Sequence, residues 1–222
     1  MGVELHALWL TLKVATWATF FAMLLGCGAG LLVAKARWPG KRLLEAVLTL
    51  PMVLPPTVLG YYLIVVLGRH APLGHWLATH LGINLMFTWQ GAVIAATVVA
   101  FPLVFTSARA AFEGVNSDFE KAARVLGAGE LKIFLHVTLP LAMRGIAAGT
   151  MLAFARAMGE FGATLMIAGN IPGKTQTLSM AIYDAVQSGN DALAQVLVVL
   201  ISVLCIVILV TASHLLNPKA AG

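Results

Sequence analysis

The sequence predicts an all-α, polytopic membrane protein with about five membrane-spanning helices and a short charged helical loop between the third and the fourth. Three observations predict it. The chain has 222 residues, of which 60% are hydrophobic and only 10% charged, against about 25% charged in a soluble domain. Mean hydropathy is +0.92. Four runs without a single charge, 14–34, 46–67, 85–108 and 192–213, are each long enough to cross a hydrocarbon layer of ~30 Å.

The elements follow in chain order. A first span is expected over 8–34. Glu4 precedes Lys13 and no basic cluster leads the run, so it reads as a retained helix and not as a cleaved signal. A second span, 44–68, carries Pro51, Pro55 and Pro56. Proline removes a donor and frees carbonyls, which in lipid need protein or water partners. This face therefore turns inward, either as a packing kink or as a broken helix on a substrate path. The third span is expected over 85–112. The fourth, 141–168, is interrupted by Arg156 and Glu160. Charges at that depth cost roughly 2.5–3.5 kcal/mol each unless compensated. Their i,i+4 spacing allows a pair on one helix side, which either orders packing or contacts a substrate. The stretch 169–190 opens with a Gly-Asn-Ile-Pro-Gly turn and then a short helical segment. That segment has too few consecutive apolar residues to span. The fifth span is 191–215.

Charge placement orients the chain. Lys35, Arg37, Lys41 and Arg42 share one loop; Lys121, Arg124, Lys132 and Arg144 share another; the intervening loops hold only Arg69 and Lys174. The positive-inside rule puts the first two loops in the cytoplasm. Five spans then leave the N-terminus outside and the C-terminus, with Lys219, inside. The net charge of +5 thus sits at membrane boundaries and implies no nucleic acid partner.

Several chemistries are excluded. Cys27 and Cys205 lie inside apolar runs without metal spacing, and His70, His75 and His80 share an external loop at a spacing that shares no helix face. No metal and no cofactor is expected. Gly173-Lys174-Thr175 imitates the end of a phosphate-binding loop, but the required upstream glycine is Ala168. Gly26, Gly28 and Gly30 imitate a dinucleotide fingerprint, but inside a span they serve close helix packing.

The loop 113–140 is the most informative segment. Ser117-Asp118-Phe119-Glu120 has the spacing of a capping box, so a helix is expected from near Asp118. Ala122, Ala123 and Leu126 share a face, Gly127 fits a left-handed terminator, and a second helix is expected from near Glu130. On spacing alone this is either an ordinary connecting loop or a docking knob. The pattern Ala122-Ala123-x-x-x-Gly127, nine residues, then Val137-x-Leu139-Pro140 resembles the cytoplasmic coupling loop of ABC-importer permeases. It departs at Lys121, where the family carries an acid; here the acid is one residue earlier, at Glu120.

The likeness continues in Leu50-Pro51-Met52-Val53-Leu54-Pro55-Pro56-Thr57, in Arg156-Ala157-Met158-Gly159-Glu160-Phe161-Gly162-Ala163-Thr164, and in Gly169-Asn170-Ile171-Pro172-Gly173-Lys174-Thr175. These segments are similar to those of molybdate-importer permeases; sulfate and thiosulfate permeases share some of them and are the alternative. The resemblance implies ATPase coupling through Glu120, Lys121, Ala122, Ala123, Gly127, Leu139 and Pro140. With the intramembrane proline and charge arguments, it makes Pro55, Pro56, Thr57, Arg156, Glu160 and Thr164 candidates for the translocation path. It also implies two ATP-binding cassette subunits, a second copy of this permease and a periplasmic oxyanion-binding protein, in the inner membrane among its lipids. The chain itself is then not an enzyme. A secondary transporter would show more spans and an internal repeat. An intramembrane enzyme would need more titratable groups than Arg156 and Glu160.

Overall fold

The computed structural model describes residues 2–36 and 38–216. Every element among them is helical. The helices are α1 (Gly2–Lys35), α2 (Lys41–Val53), α3 (Pro56–Leu67), α4 (Pro72–Leu81), α5 (Trp89–Glu113), α6 (Ser117–Val125), α7 (Glu130–Ile133), α8 (Leu139–Met158), α9 (Gly162–Ala168), α10 (Leu178–Gln187) and α11 (Asp191–Leu216). A π-helical turn, Phe134–Thr138, joins α7 to α8. Arg37 and Lys219, used above for orientation, lie outside the described residues.

Four continuous helices are long and apolar enough to cross a membrane: Glu4–Lys35, Trp89–Glu113, Glu130–Met158 and Asp191–Thr211. The expected second span is different. Region 44–68 is two helices, α2 and α3, bent by 112°. The cause is local. A residue before proline is pushed out of the helical region, and two such residues are consecutive. Leu54, before Pro55, has ψ 141°, and Pro55, before Pro56, has ψ 139°. Pro56 then starts α3, where its missing N–H costs nothing.

The expected fourth span is displaced as well. It begins at Glu130, eleven residues before the expected 141, and α8 ends at Met158. Residues 159–161 break it before α9. The π-turn lies where Pro140 would otherwise disturb a regular helix. Pro140 has no donor, and its ring would meet the carbonyl of His136. The wider turn closes on the bond from Leu139 N–H to Phe134 O. The loop that holds His70, His75 and His80 contains the ten-residue α4, with His75 and His80 on it. As expected, α10 is too short to span, at ten residues.

Helix α5 is the centre of the fold, with two-thirds of its apolar window buried. It packs against α1, α8, α9 and α2. The α1–α5 contact runs parallel and depends on small residues. A Cβ on Gly26 would lie 2.9 Å from Val104 Cβ, and one on Gly30 would lie 2.9 Å from the Arg109 backbone nitrogen. Gly28 faces open space, so only two of the three glycines serve this packing. The buried core is built from Val14, Ala18 and Ala22 of α1, Ala92–Val104 of α5, and Ala153, Ala157, Ala163 and Ile167 of α8 and α9. Cys27 and Cys205 pack against it as small apolar groups.

Candidate functional site

Two places combine the sequence-predicted residues. The first is the knob formed by α6 and α7. Its cap differs from the expected capping box: Asn116, not Ser117, accepts from the Asp118 N–H at 2.9 Å, so the helix begins at Ser117. That releases Glu120 for another role. Its carboxylate accepts from Thr138 Oγ1 at 2.6 Å and lies 3.9 Å from Lys35 Nζ and 3.8 Å from Arg124. Arg124 forms a two-pronged pair with Glu130, at 2.6 and 3.0 Å. That hydrogen bond raises the guanidinium pKa above its ordinary value.

Gly127 closes α6 in the left-handed region, at φ +79°. The Gly127 N–H reaches Arg124 O at 2.9 Å and the Ala128 N–H reaches Ala123 O at 3.0 Å. These two bonds are the Schellman pattern, which satisfies carbonyls left over at a helix end.

Helix α6 has no buried residue. Val125 and Leu126 are 87% and 86% exposed, and Phe119, Leu131 and Leu135 are exposed beside them. Ala122 is exposed and Ala123 half-buried. The knob is therefore held to the protein by charge, by hydrogen bonds and by the buried Ile133 of α7, while its other large apolar side chains face away. An exposed apolar patch of this kind is typical of surfaces that meet another protein or a membrane. Lys121 pairs only locally, with Asp118 at 2.9 Å. Leu139 packs at the knob's base against the cluster of Ala108, Phe112, Ala142 and Ile146, and Pro140 is exposed at the start of α8.

Sequence reasoning missed what ties this end of the molecule together. Arg109 bonds Glu45 at 2.6 Å, and Lys41 bonds Glu113 at 3.0 Å, with Lys41–Glu45 at 3.8 Å and Arg109–Glu113 at 3.9 Å. The four charges join α2 to the end of α5. Two i,i+4 pairs, Lys41/Glu45 and Arg109/Glu113, were the available signal. Thr138, the donor to Glu120, carried none.

The second place is the proline break. Pro51, Met52, Leu54, Pro56 and Leu59 line a cavity of ≈ 300 Å³ with Val99, Leu103 and Arg156. The Arg156 guanidinium stands 2.9 Å from Glu160 Oε2, with side chains 37% and 1% exposed. This is an ion pair by distance, although its angles fall outside hydrogen-bond geometry. The pair does not lie along one helix, as the i,i+4 spacing suggested. Arg156 is in the last turn of α8 and Glu160 lies beyond its end. Glu160 has a second role: its Oε1 accepts from the Ala163 N–H at 2.9 Å, capping the first turn of α9. A carboxylate there also meets the positive end of the helix.

The remaining candidates are near the cavity but do not line it. Pro55 and Thr57 are exposed at the start of α3. Thr164 is 1% exposed in α9, and its hydroxyl has no hydrogen-bond partner among the described residues. Small residues bring α3 and α9 together: a Cβ on Gly60 would lie 2.6 Å from Met166 Cβ, and one on Gly162 3.0 Å from Pro56 Cβ.

The chain is 44% identical over 210 residues to the molybdenum transport system permease protein ModB of Escherichia coli (strain K12), covering 94% of this chain and 92% of the relative. It is 46% identical over 200 residues to the putative molybdenum transport system permease protein YvgM of Bacillus subtilis (strain 168), covering 90% and 88%. Among solved structures it is similar in fold to an inward-facing MetNI methionine ABC transporter chain, at TM-score 0.76 and 20% identity, over 98% of this chain and 96% of that one. The model of the binding-protein-dependent transport system inner membrane component matches residues 22–221, and the chain belongs to that family.

Proposed function

We propose that this chain is the permease subunit of an ATP-driven importer that carries molybdate, and with it tungstate, across the inner membrane. The observation that carries the reading is the knob: an apolar surface on α6 and α7 that faces away from the protein, tied to it by the buried Ile133 and by Glu120, Arg124 and Glu130. A separate ATP-binding cassette subunit is the cover we assign to it. ATP hydrolysis then belongs to that subunit and not to this chain. The relatives named above are molybdenum permeases, which supports the substrate.

The transmission route follows from the contacts. Movement of α6 pulls on Thr138 through Glu120, and on α1 through Lys35. Thr138 begins the rigid α8, whose 20 residues span about 30 Å at ~1.5 Å per residue. The far end of α8 carries Arg156 into the cavity at the proline break. Its guanidinium is partly exposed and offers donors to a tetrahedral dianion. Glu160 offsets part of that charge, so an anion is bound weakly enough to leave. A second copy of this chain closes the path, and a periplasmic oxyanion-binding protein delivers the anion.

The test is uptake of radiolabelled molybdate by proteoliposomes holding the permease, its ATPase and its binding protein. ATP-dependent uptake that excess sulfate fails to displace is expected. Sulfate entering as well as molybdate overturns the substrate, and failure of any ATPase to co-purify overturns the class.

A further inference from the structure

A second, larger groove of ≈ 590 Å³ lies on the outside of the bundle, between α1 and α5. Trp17, Phe21 and Leu25 line it from α1, and Trp89, Ile94 and Val98 from α5. Its polar contributors are Thr97, which already donates to Val93 O at 2.7 Å, and Gln90, next to Trp89 in the first turn of α5. The groove therefore offers an occupant almost nothing but apolar surface. At one end the Lys13 ammonium stands 3.6 Å from the centroid of the Trp89 ring. No described carboxylate lies within ion-pair distance of it. The ring occupies one side of the ammonium and leaves its other N–H groups unpaired.

Depth identifies the occupant. Lys13 and Lys35 are 22 residues apart on one continuous helix, about 33 Å at ~1.5 Å per residue. With Lys35 at the cytoplasmic boundary, Lys13 reaches the opposite boundary of a hydrocarbon layer of ~30 Å. Trp89 is at the same level, where tryptophan anchors to headgroups. From there the groove descends along Trp17–Leu25, about 12 Å, close to the depth of one leaflet.

We propose that this groove seats an acyl chain of an anionic phospholipid, with Lys13 on its headgroup. An apolar channel of single-leaflet depth that ends in an unpaired cation at headgroup level matches that molecule in shape and in charge. Assigning it to the outer leaflet rests on the orientation that charge placement in the sequence predicts; the site itself does not.

The experiment uses the intact permease–ATPase complex in nanodiscs with trace phosphatidylglycerol or phosphatidylcholine carrying a photoreactive acyl chain. Labels from phosphatidylglycerol are expected on residues 17–25 and 90–98, and more strongly than from phosphatidylcholine. Lys13→Gln lowers phosphatidylglycerol labelling about fivefold, the effect of one interfacial lysine, and leaves phosphatidylcholine labelling unchanged. Arg42→Gln, which removes a cation near Lys35 at the opposite membrane boundary, changes neither. Ile94→Trp fills the groove and lowers both. Equal labelling by the two lipids, no response to Lys13→Gln, or cross-linking of Phe21→Cys to a second permease copy in place of lipid overturns the proposal. Labelling in nanodiscs is independent of chain orientation. Accessibility of Lys174→Cys to an impermeant reagent in whole cells tests the orientation separately.

Discussion

Gly127→Val isolates the conformational role of the knob's terminator. Gly127 holds φ +79°, and nothing lies within 4 Å of a Cβ built there. Crowding inside this chain therefore contributes nothing, and the cost is that of a left-handed L-residue, about 1–2 kcal/mol, and more for a β-branched one. The correctly aimed knob then falls roughly 5- to 30-fold in population. The bonds lost are Gly127 N–H to Arg124 O and Ala128 N–H to Ala123 O, so the chain leaves α6 in a new direction and the Arg124–Glu130 pair is pulled apart. Coupled uptake in proteoliposomes and recovery of the ATPase with the tagged permease are the readouts, with membrane insertion unchanged. A graded series adds the decisive control. Asparagine tolerates the left-handed region better than alanine although it is larger, so activity should fall in the order Gly, Asn, Ala, Val. Normal uptake by Gly127→Val refutes the hinge. An Asn variant as poor as Val shows that a side chain at 127 clashes with the partner, and refutes the backbone argument.

The remaining predictions concern the core, the pair and the topology. Gly26→Ala and Gly30→Ala should each lower the unfolding temperature in detergent, because their new methyls meet Val104 and the Arg109 backbone at 2.9 Å; such overpacking costs about 1–3 kcal/mol. Gly28→Ala, which faces open space, should be neutral or stabilising by up to about 1 kcal/mol, and equal losses at all three positions would sink the assigned α1–α5 register. Arg156→Ala should destabilise the permease by less than the roughly 3–5 kcal/mol of a fully buried broken pair, since its side chain is 37% exposed. Glu160→Gln should be milder than Glu160→Ala, because it keeps an acceptor for Ala163, and Arg156→Ala/Glu160→Ala should recover only part of the assembly lost in Arg156→Ala. A double variant as stable as the parent would remove the capping role; one that assembles but does not transport marks Arg156 as an anion contact. Reporter fusions after Pro72, Arg124, Lys174 and Gly222 should read outside, inside, outside and inside, and a C-terminal fusion active only outside would overturn the five-span arrangement.

The all-helical class was legible in the sequence because lipid leaves the backbone few alternatives. Long uncharged runs such as 85–108 can satisfy their own N–H and C=O groups only as helices. Gly127 was legible for a similarly local reason: a left-handed terminator depends on one residue and its nearest carbonyls. The proline doublet announced the break between α2 and α3, since each residue before a proline is barred from the helical region, but not the helix against which α3 then packs. That packing depends on Gly60 and Gly162, a hundred residues apart in the chain. The tertiary structure alone decided which charges meet. Glu120 looked like half of a capping box, yet its partner is Thr138, 18 residues on. Arg156 and Glu160 looked like neighbours on one helix, yet the helix ends between them, and Glu160 caps the next one. Local sequence determines where a helix can form and must stop, because those rules act over three or four residues. Which polar groups pair across helices depends on the directions in which those helices leave their breaks, and only the packed bundle fixes those directions.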